Sequence, residues 1–117
     1  MNTMTTIMAV VLAAIAIVSA MGKLKKMPQV IESMTHVGVK PNQIPVLAYL
    51  EIAGALGLLI GIAVPLLGLV SAVALMLYFL GAVVAHIRVK DKFKDFGPAL
   101  FLAVLFGILT NLISSGM

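Results

Sequence analysis

Four long apolar runs dominate the sequence, at about residues 4–22, 44–64, 66–87 and 96–113. A helix needs about 20 mostly apolar residues to span a membrane, and each run is close to that length. Only 10% of the residues are charged, whereas soluble domains carry about 25%. The sequence therefore predicts that residues 1–117 form a single all-α membrane domain with the lipid bilayer as its main partner.

The basic residues predict how these runs are oriented. All 8 Lys and Arg residues lie in two connections, residues 23–43 and 88–95. Loops rich in Lys and Arg stay in the cytoplasm, so we predict a multi-pass protein of the inner or plasma membrane with both termini outside. The leader MNTMTT has no positive charge, so the first run is expected to be a retained span and not a cleaved signal. Short connections favour an up-down four-helix bundle.

The connection between the first two runs contains a shorter helical pattern at about residues 28–37. Val30, Ile31 and Met34 fall on one helical face, and polar residues fall on the others. The segment is too short to span a bilayer. It predicts a short amphipathic helix at the cytoplasmic interface, which would serve as a structural lid or an anchor.

Small residues at helical spacing predict close helix contacts, because they let helix backbones approach one another. These contacts would lie inside the bundle or between copies of the chain in a homo-oligomer. The residues are Ala53, Gly57 and Gly61 in the second run, and Gly81, Ala82 and Ala85 in the third.

An acid, Glu51, interrupts the second run. An ionised acid in the bilayer costs about 2.5–3.5 kcal/mol, so it must face the bundle, become neutral or find a partner. The turn at Pro65 brings Glu51 level with Tyr78 or Phe79, and a tyrosine hydroxyl at that depth also needs a partner. Helical side chains lean toward their own N-terminus, so groups at the end of the third run lean toward Glu51. We predict a ligand-binding site formed by Glu51, Tyr78, His86 and Arg88.

Simpler interpretations of these residues exist. Glu51 would then fix the helix register, His86 would be an interfacial residue, and Arg88 would extend to lipid phosphates. Asp91 and Asp95 lie among lysines and are interpreted as a solvated linker. The chain has 2 His and no Cys, so no metal site is expected.

Several short motifs resemble one known family. They are GKLKKMP after the first run, LEIAGALGLLIG in the second, the Pro65 turn, and GAVVAHIRVKD at the end of the third. In order and spacing, from about Gly22 to Asp91, they resemble the DoxX-like family of small bacterial membrane proteins. Glu51 and His86 match a glutamate and a histidine of that family. The resemblance implies a link to a thiosulfate:quinone oxidoreductase subunit or to oxidative-stress and quinone-detoxification responses.

Three functions remain open at this point. The first is binding of a quinone, or a similar hydrophobic small molecule, in redox or oxidative-stress metabolism, with no covalently bound cofactor. The second is a non-catalytic accessory or anchor subunit that docks a larger redox partner. The third is an oligomeric transporter or proton path. Nucleic acid is excluded as a partner, because the basic residues flank apolar runs and aromatic residues are few. Whether the chain is an enzyme stays open.

Overall fold

The computed structural model describes residues 2–117. Its helices are α1 (Thr3–Leu24), α2 (Pro28–His36), α3 (Ile44–Ile60), α4 (Pro65–Arg88) and α5 (Phe93–Gly116), and a 3-10 turn at Pro41–Gln43 leads into α3. Four of these segments are long and apolar enough to cross a membrane: α1, α4, α5 and the 3-10 turn together with α3. The predicted all-α four-helix membrane bundle is confirmed.

The spanning helices pack in chain order. Extensive contacts join α1 to α3, α3 to α4 and α4 to α5, and a sparser contact between α1 and α5 closes the bundle. Alanines of α1, including Ala9, Ala13 and Ala16, pack in the core against larger side chains such as Leu58 and Phe106. Large apolar side chains also cover much of the outer surface, because its solvent is lipid rather than water.

Glycines allow α3 and α4 to lie very close together near their connection. A Cβ added at Gly61 would overlap the backbone of Gly68, and one added at Gly57 would overlap the Ser71 hydroxyl. A Cβ at Gly54 would lie 2.7 Å from the Leu75 side chain. The helix face that meets α4 therefore consists of small residues by necessity.

The other small residues named from the sequence do not take part in this contact. Ala53 is exposed, because it lies about 100° around the helix from Gly54, which faces α4 in its place. Gly81 is exposed as well, and a Cβ there would meet nothing within 4 Å. Ala82 and Ala85 are half-buried and line a cavity described below. Their contact with a second copy stays a prediction.

The limits of two helices differ from those of the apolar runs predicted from the sequence. Helix α3 stops at Ile60, and the remainder of its run makes the turn into Pro65, which lacks an N–H for a continuous helix. Helix α5 starts at Phe93, earlier than its run, where the Lys92 N–H donates to Asp95 Oδ2 at 3.0 Å. Pro98 therefore lies inside α5 rather than in its first turn.

Helix α2 lies across one end of the bundle, called here the basic end because it carries both basic connections. No residue of α2 is buried. Val30, Ile31 and Met34 are half-buried, whereas Glu32 is exposed. The apolar face of α2 is thus turned toward the bundle.

Candidate functional site

Glu51 is the centre of a polar cluster that joins three spanning helices. Its side chain is fully buried in α3. Lys23, from the last turn of α1, places its Nζ 2.5 Å from Glu51 Oε1, and the Tyr78 hydroxyl of α4 donates to the same oxygen at 3.1 Å. Lys23 Nζ also donates to Ser19 Oγ at 3.0 Å. We call Ser19, Lys23, Glu51 and Tyr78 the polar cluster.

The cluster is electrostatically paired but not saturated with hydrogen bonds. Lys23 is only 5% exposed and Glu51 0%, and a buried charge is tolerated when a counter-charge and hydrogen bonds accompany it. Glu51 Oε2 is buried without a hydrogen-bond partner among the described residues. An ammonium carries three donors, and Lys23 uses two of them within the cluster. One acceptor and one donor are left over.

The structure brings together two of the four residues that the sequence predicted as a site. Glu51 and Tyr78 are in direct contact, as their equal depth suggested. Sequence reasoning missed Lys23, which looked like an ordinary basic residue flanking a span. Its position held a signal, since Ala16, Ala20 and Lys23 continue the buried stripe of α1, whereas Lys25 is exposed.

His86 and Arg88 lie outside the polar cluster. Lys23 already supplies a cation at the depth of Glu51. The side chains at the end of α4 are therefore not needed as its counter-charge. Arg88 is exposed at the last residue of that helix. His86 instead donates from Nδ1 to Asp91 Oδ2 at 2.6 Å.

A cavity of about 470 Å³ lies between the polar cluster and the basic end. Lys23 and Tyr78 form a polar part of its wall, and Phe79, Ala82 and Leu102 are among its apolar lining residues. Ser33 and Met34 of α2 lie along its boundary, so α2 covers the basic end of the cavity. We call it the bundle cavity. It is an amphipathic space lined by all four spanning helices and α2.

A second group of titratable side chains lies at the mouth of this cavity. His36 of α2 donates from Nε2 to Asp91 Oδ1 at 2.7 Å, and His86 binds the other carboxylate oxygen. The hydrogen bond to Asp91 and then its charge raise the pKa of His36 above its usual 6.5. The hydrogen bonds from His86 and then His36 lower the pKa of Asp91.

This group corrects the interpretation of Asp91 as part of a solvated linker. Asp91 is only 12% exposed, because the two histidines enclose its carboxylate. Asp95 is exposed and caps the start of α5. Among residues 2–117, no group of three or more His, Cys, Asp or Glu side chains is arranged to hold a metal ion.

Four spanning helices around a buried ion pair and an amphipathic cavity define a small multi-pass membrane protein of the helical-bundle class. The chain belongs to the DoxX-like family, whose family model matches residues 7–108. The match includes the whole polar cluster and Asp91 with both histidines. No curated protein and no solved structure matches the chain.

Proposed function

We propose that the bundle cavity binds a quinone, or a hydrophobic small molecule of similar shape and polarity. One observation carries the proposal: the wall of a largely apolar cavity between the spanning helices holds Lys23 and Tyr78, which are held in place by a buried carboxylate. The cavity volume of about 470 Å³ lies within the range of about 300–1,000 Å³ that is usual for small-molecule sites.

The chemistry of a quinone matches this wall. Its two carbonyl oxygens accept hydrogen bonds and donate none, and Lys23 Nζ has one donor that the protein leaves unused. The flat ring needs apolar contacts, which Phe79 and Leu102 supply. Phe79 is itself held by stacking on Phe106, with ring centroids 5.6 Å apart.

The route of entry also suits a lipid-dissolved ligand. Gly81 lines the cavity and is exposed on the outside of α4, with open space where a side chain would be. We infer from this exposed position that a ligand enters the cavity sideways from the bilayer. We place the basic end in the cytoplasm, by the distribution of Lys and Arg. We infer that the site lies on the cytoplasmic side of the membrane, and the family resemblance supports a role in redox or oxidative-stress metabolism.

The two tyrosines of the chain provide a matched test. Tyr78→Phe removes the hydroxyl that orders Glu51 and the cavity wall, whereas Tyr49→Phe removes one that is 62% exposed on α3. We expect Tyr78→Phe to weaken the binding of a short-tailed benzoquinone about fivefold, the equivalent of one hydrogen bond of about 1 kcal/mol. Tyr49→Phe should bind as the wild type does.

The measurement is an equilibrium titration of each purified variant in lipid nanodiscs, followed by ligand partition between protein-containing and empty nanodiscs. Equal affinity in all three proteins would show that the quinone does not use the polar cluster. An absence of saturable binding in the wild type would overturn the proposal.

A further inference from the structure

Helix α2 covers the bundle cavity but is weakly held there. None of its residues is buried. The chain takes a left-handed conformation just before and just after it, with φ of 53° at Lys26 and 93° at Gly38. Residues of this kind end helices and mark sites where the chain changes direction. Helix α2 is therefore a separate small unit with a sharp bend on each side.

A single side-chain link holds α2 to the far side of the bundle. His36, at the C-terminal end of α2, donates to Asp91, and His86 of α4 donates to the other oxygen of the same carboxylate. We call His36, Asp91 and His86 the clasp. Among residues 2–117, no other side-chain hydrogen bond joins α2 to another helix or connection. If His36 leaves Asp91, α2 keeps only apolar contacts of half-buried residues.

The clasp also lies where the cavity meets water. A polar surface cleft of about 740 Å³ is lined by His36, Asp91 and His86. His86 and Ser33 line both this cleft and the bundle cavity. Movement of α2 away from the clasp would therefore join the two spaces.

We propose that α2 is a lid over the bundle cavity and that the clasp makes its opening depend on pH, with closure favoured as pH falls. The lid rests on the proposed function, because it would control the access of water to that same site.

The charges around His36 determine the sign of this dependence. Asp91 contacts it directly from the connection between α4 and α5, with Asp95 of α5 and Glu32 of its own helix further away. All three acids favour the protonated imidazole, and His86 is the one other titratable group at the carboxylate. Protonated His36 adds a positive charge to its hydrogen bond with the ionised Asp91 carboxylate, which makes that bond stronger than the one that neutral His36 makes.

The closed lid therefore binds a proton more tightly than the open lid. In the closed form the pKa of His36 is raised above 6.5, and opening returns it toward 6.5. The additional stability of closure is complete below 6.5 and is lost as pH rises through the raised pKa. The lowered pKa of Asp91 keeps its carboxylate ionised throughout this range.

The absence of cysteine from the chain makes a clean labelling test possible. A single Ala82→Cys substitution places a thiol in the cavity wall, and Ser114→Cys places one at an exposed site near the end of α5. A charged methanethiosulfonate reagent reaches the cavity thiol only from water. The labelling rate of the Ala82→Cys protein, divided by that of the Ser114→Cys protein at the same pH, corrects for the change in thiolate fraction.

The comparison is between an intact clasp, Asp91→Asn and His36→Gln, each in the Ala82→Cys background at pH 6 and pH 8. We expect both clasp variants to label at least about threefold faster than the intact clasp at pH 6, because a charge-assisted hydrogen bond is lost. The ratio of variant to intact rates should be smaller at pH 8, where His36 is less protonated and its bond to Asp91 is weaker. His36 is 56% exposed, so His36→Gln leaves the fold intact even if Asp91→Asn does not.

Equal rates in His36→Gln and in the intact clasp at pH 6 would overturn the proposal. So would a ratio that is the same at both pH values. No quinone is present in this experiment, so failure of the lid is distinguishable from failure of ligand binding, which the tyrosine variants test separately.

Discussion

Lys23 and Glu51 explain how an acid is retained in the middle of an apolar helix. Each charge alone would be costly in this position, and the two are brought together by the packing of α1 on α3. Tyr78 adds a third contact from α4. The polar cluster therefore links three spanning helices and fixes their register at one depth.

This pairing predicts strong coupling between the two residues. Lys23→Met and Glu51→Leu should each lower the free energy of unfolding by about 3–5 kcal/mol, because each leaves a buried charge without its partner. The double variant should recover most of the loss, since neither charge is then present. Reversible unfolding in mixed detergent micelles would measure all four proteins. Additive losses in the double variant would contradict an ion pair.

Residues of the site differed in how far the sequence could predict them. Depth along two antiparallel helices left Tyr78 and Phe79 as neighbours of Glu51, and the need of a buried hydroxyl for a partner favoured Tyr78. Lys23 is one of three nearby lysines. Only its position on the buried stripe of α1 distinguishes it from the other two. Asp91 was unpredictable, because its environment comes from the fold bringing α2 next to the end of α4. Contacts made by residues in the connections are harder to predict from sequence than contacts between residues placed by helix periodicity.

Helices α3 and α4 depend on glycine for their close packing. Gly61 and Gly68 approach backbone to backbone, with no flexible side chain that could move aside. Gly81, on the same helix as Gly68, has open space instead. The two kinds of glycine make opposite predictions for the same substitution.

Gly61→Ala should lower the free energy of unfolding by about 1–3 kcal/mol, the usual cost of forcing atoms into a well-packed contact. Gly81→Ala is the matched control, and it should be neutral or stabilise the helix by less than about 1 kcal/mol. Thermal or detergent unfolding of the two variants beside the wild type checks this. A similar loss in both would mean that α3 and α4 are further apart than described.

Helix boundaries were predictable where a proline or a group of basic residues marks them in the sequence. The third run, 66–87, lies within one residue at each end of α4, because Pro65 and the basic residues after Arg88 mark its limits. The ends of α3 and the start of α5 depend on a tight turn and on a local cap. Gly54, and not Ala53, faces α4, and this depends on how α3 is rotated about its own axis. A helix that is apolar on all sides gives no sequence pattern from which that rotation can be predicted.

The bundle as a whole has a strongly asymmetric distribution of charge. All 8 Lys and Arg residues belong to the connections at the basic end or to the helix ends that lead into them. Such asymmetry sets the orientation of a membrane protein during insertion. We therefore predict that the basic end is cytoplasmic and that both termini lie on the outer side.

Two exposed methionines test this orientation. Met27 lies before α2 at the basic end and is 45% exposed, and Met117 follows α5 at the other end and is 61% exposed. In intact cells, a membrane-impermeant maleimide should label Met117→Cys and leave Met27→Cys unlabelled until the cells are permeabilised. The reverse pattern would place the proposed site on the outer side of the membrane.

The proposed function is tested most directly by native mass spectrometry of the protein, gently extracted from its own membranes. Ala82→Leu fills the bundle cavity, and Ala74→Leu makes the same change at an exposed position of the same helix. We predict a bound species of quinone mass on the wild type and on Ala74→Leu, and its loss from Ala82→Leu. Retention of that species by Ala82→Leu, or a second polypeptide in place of any small molecule, would contradict a ligand site in the bundle cavity.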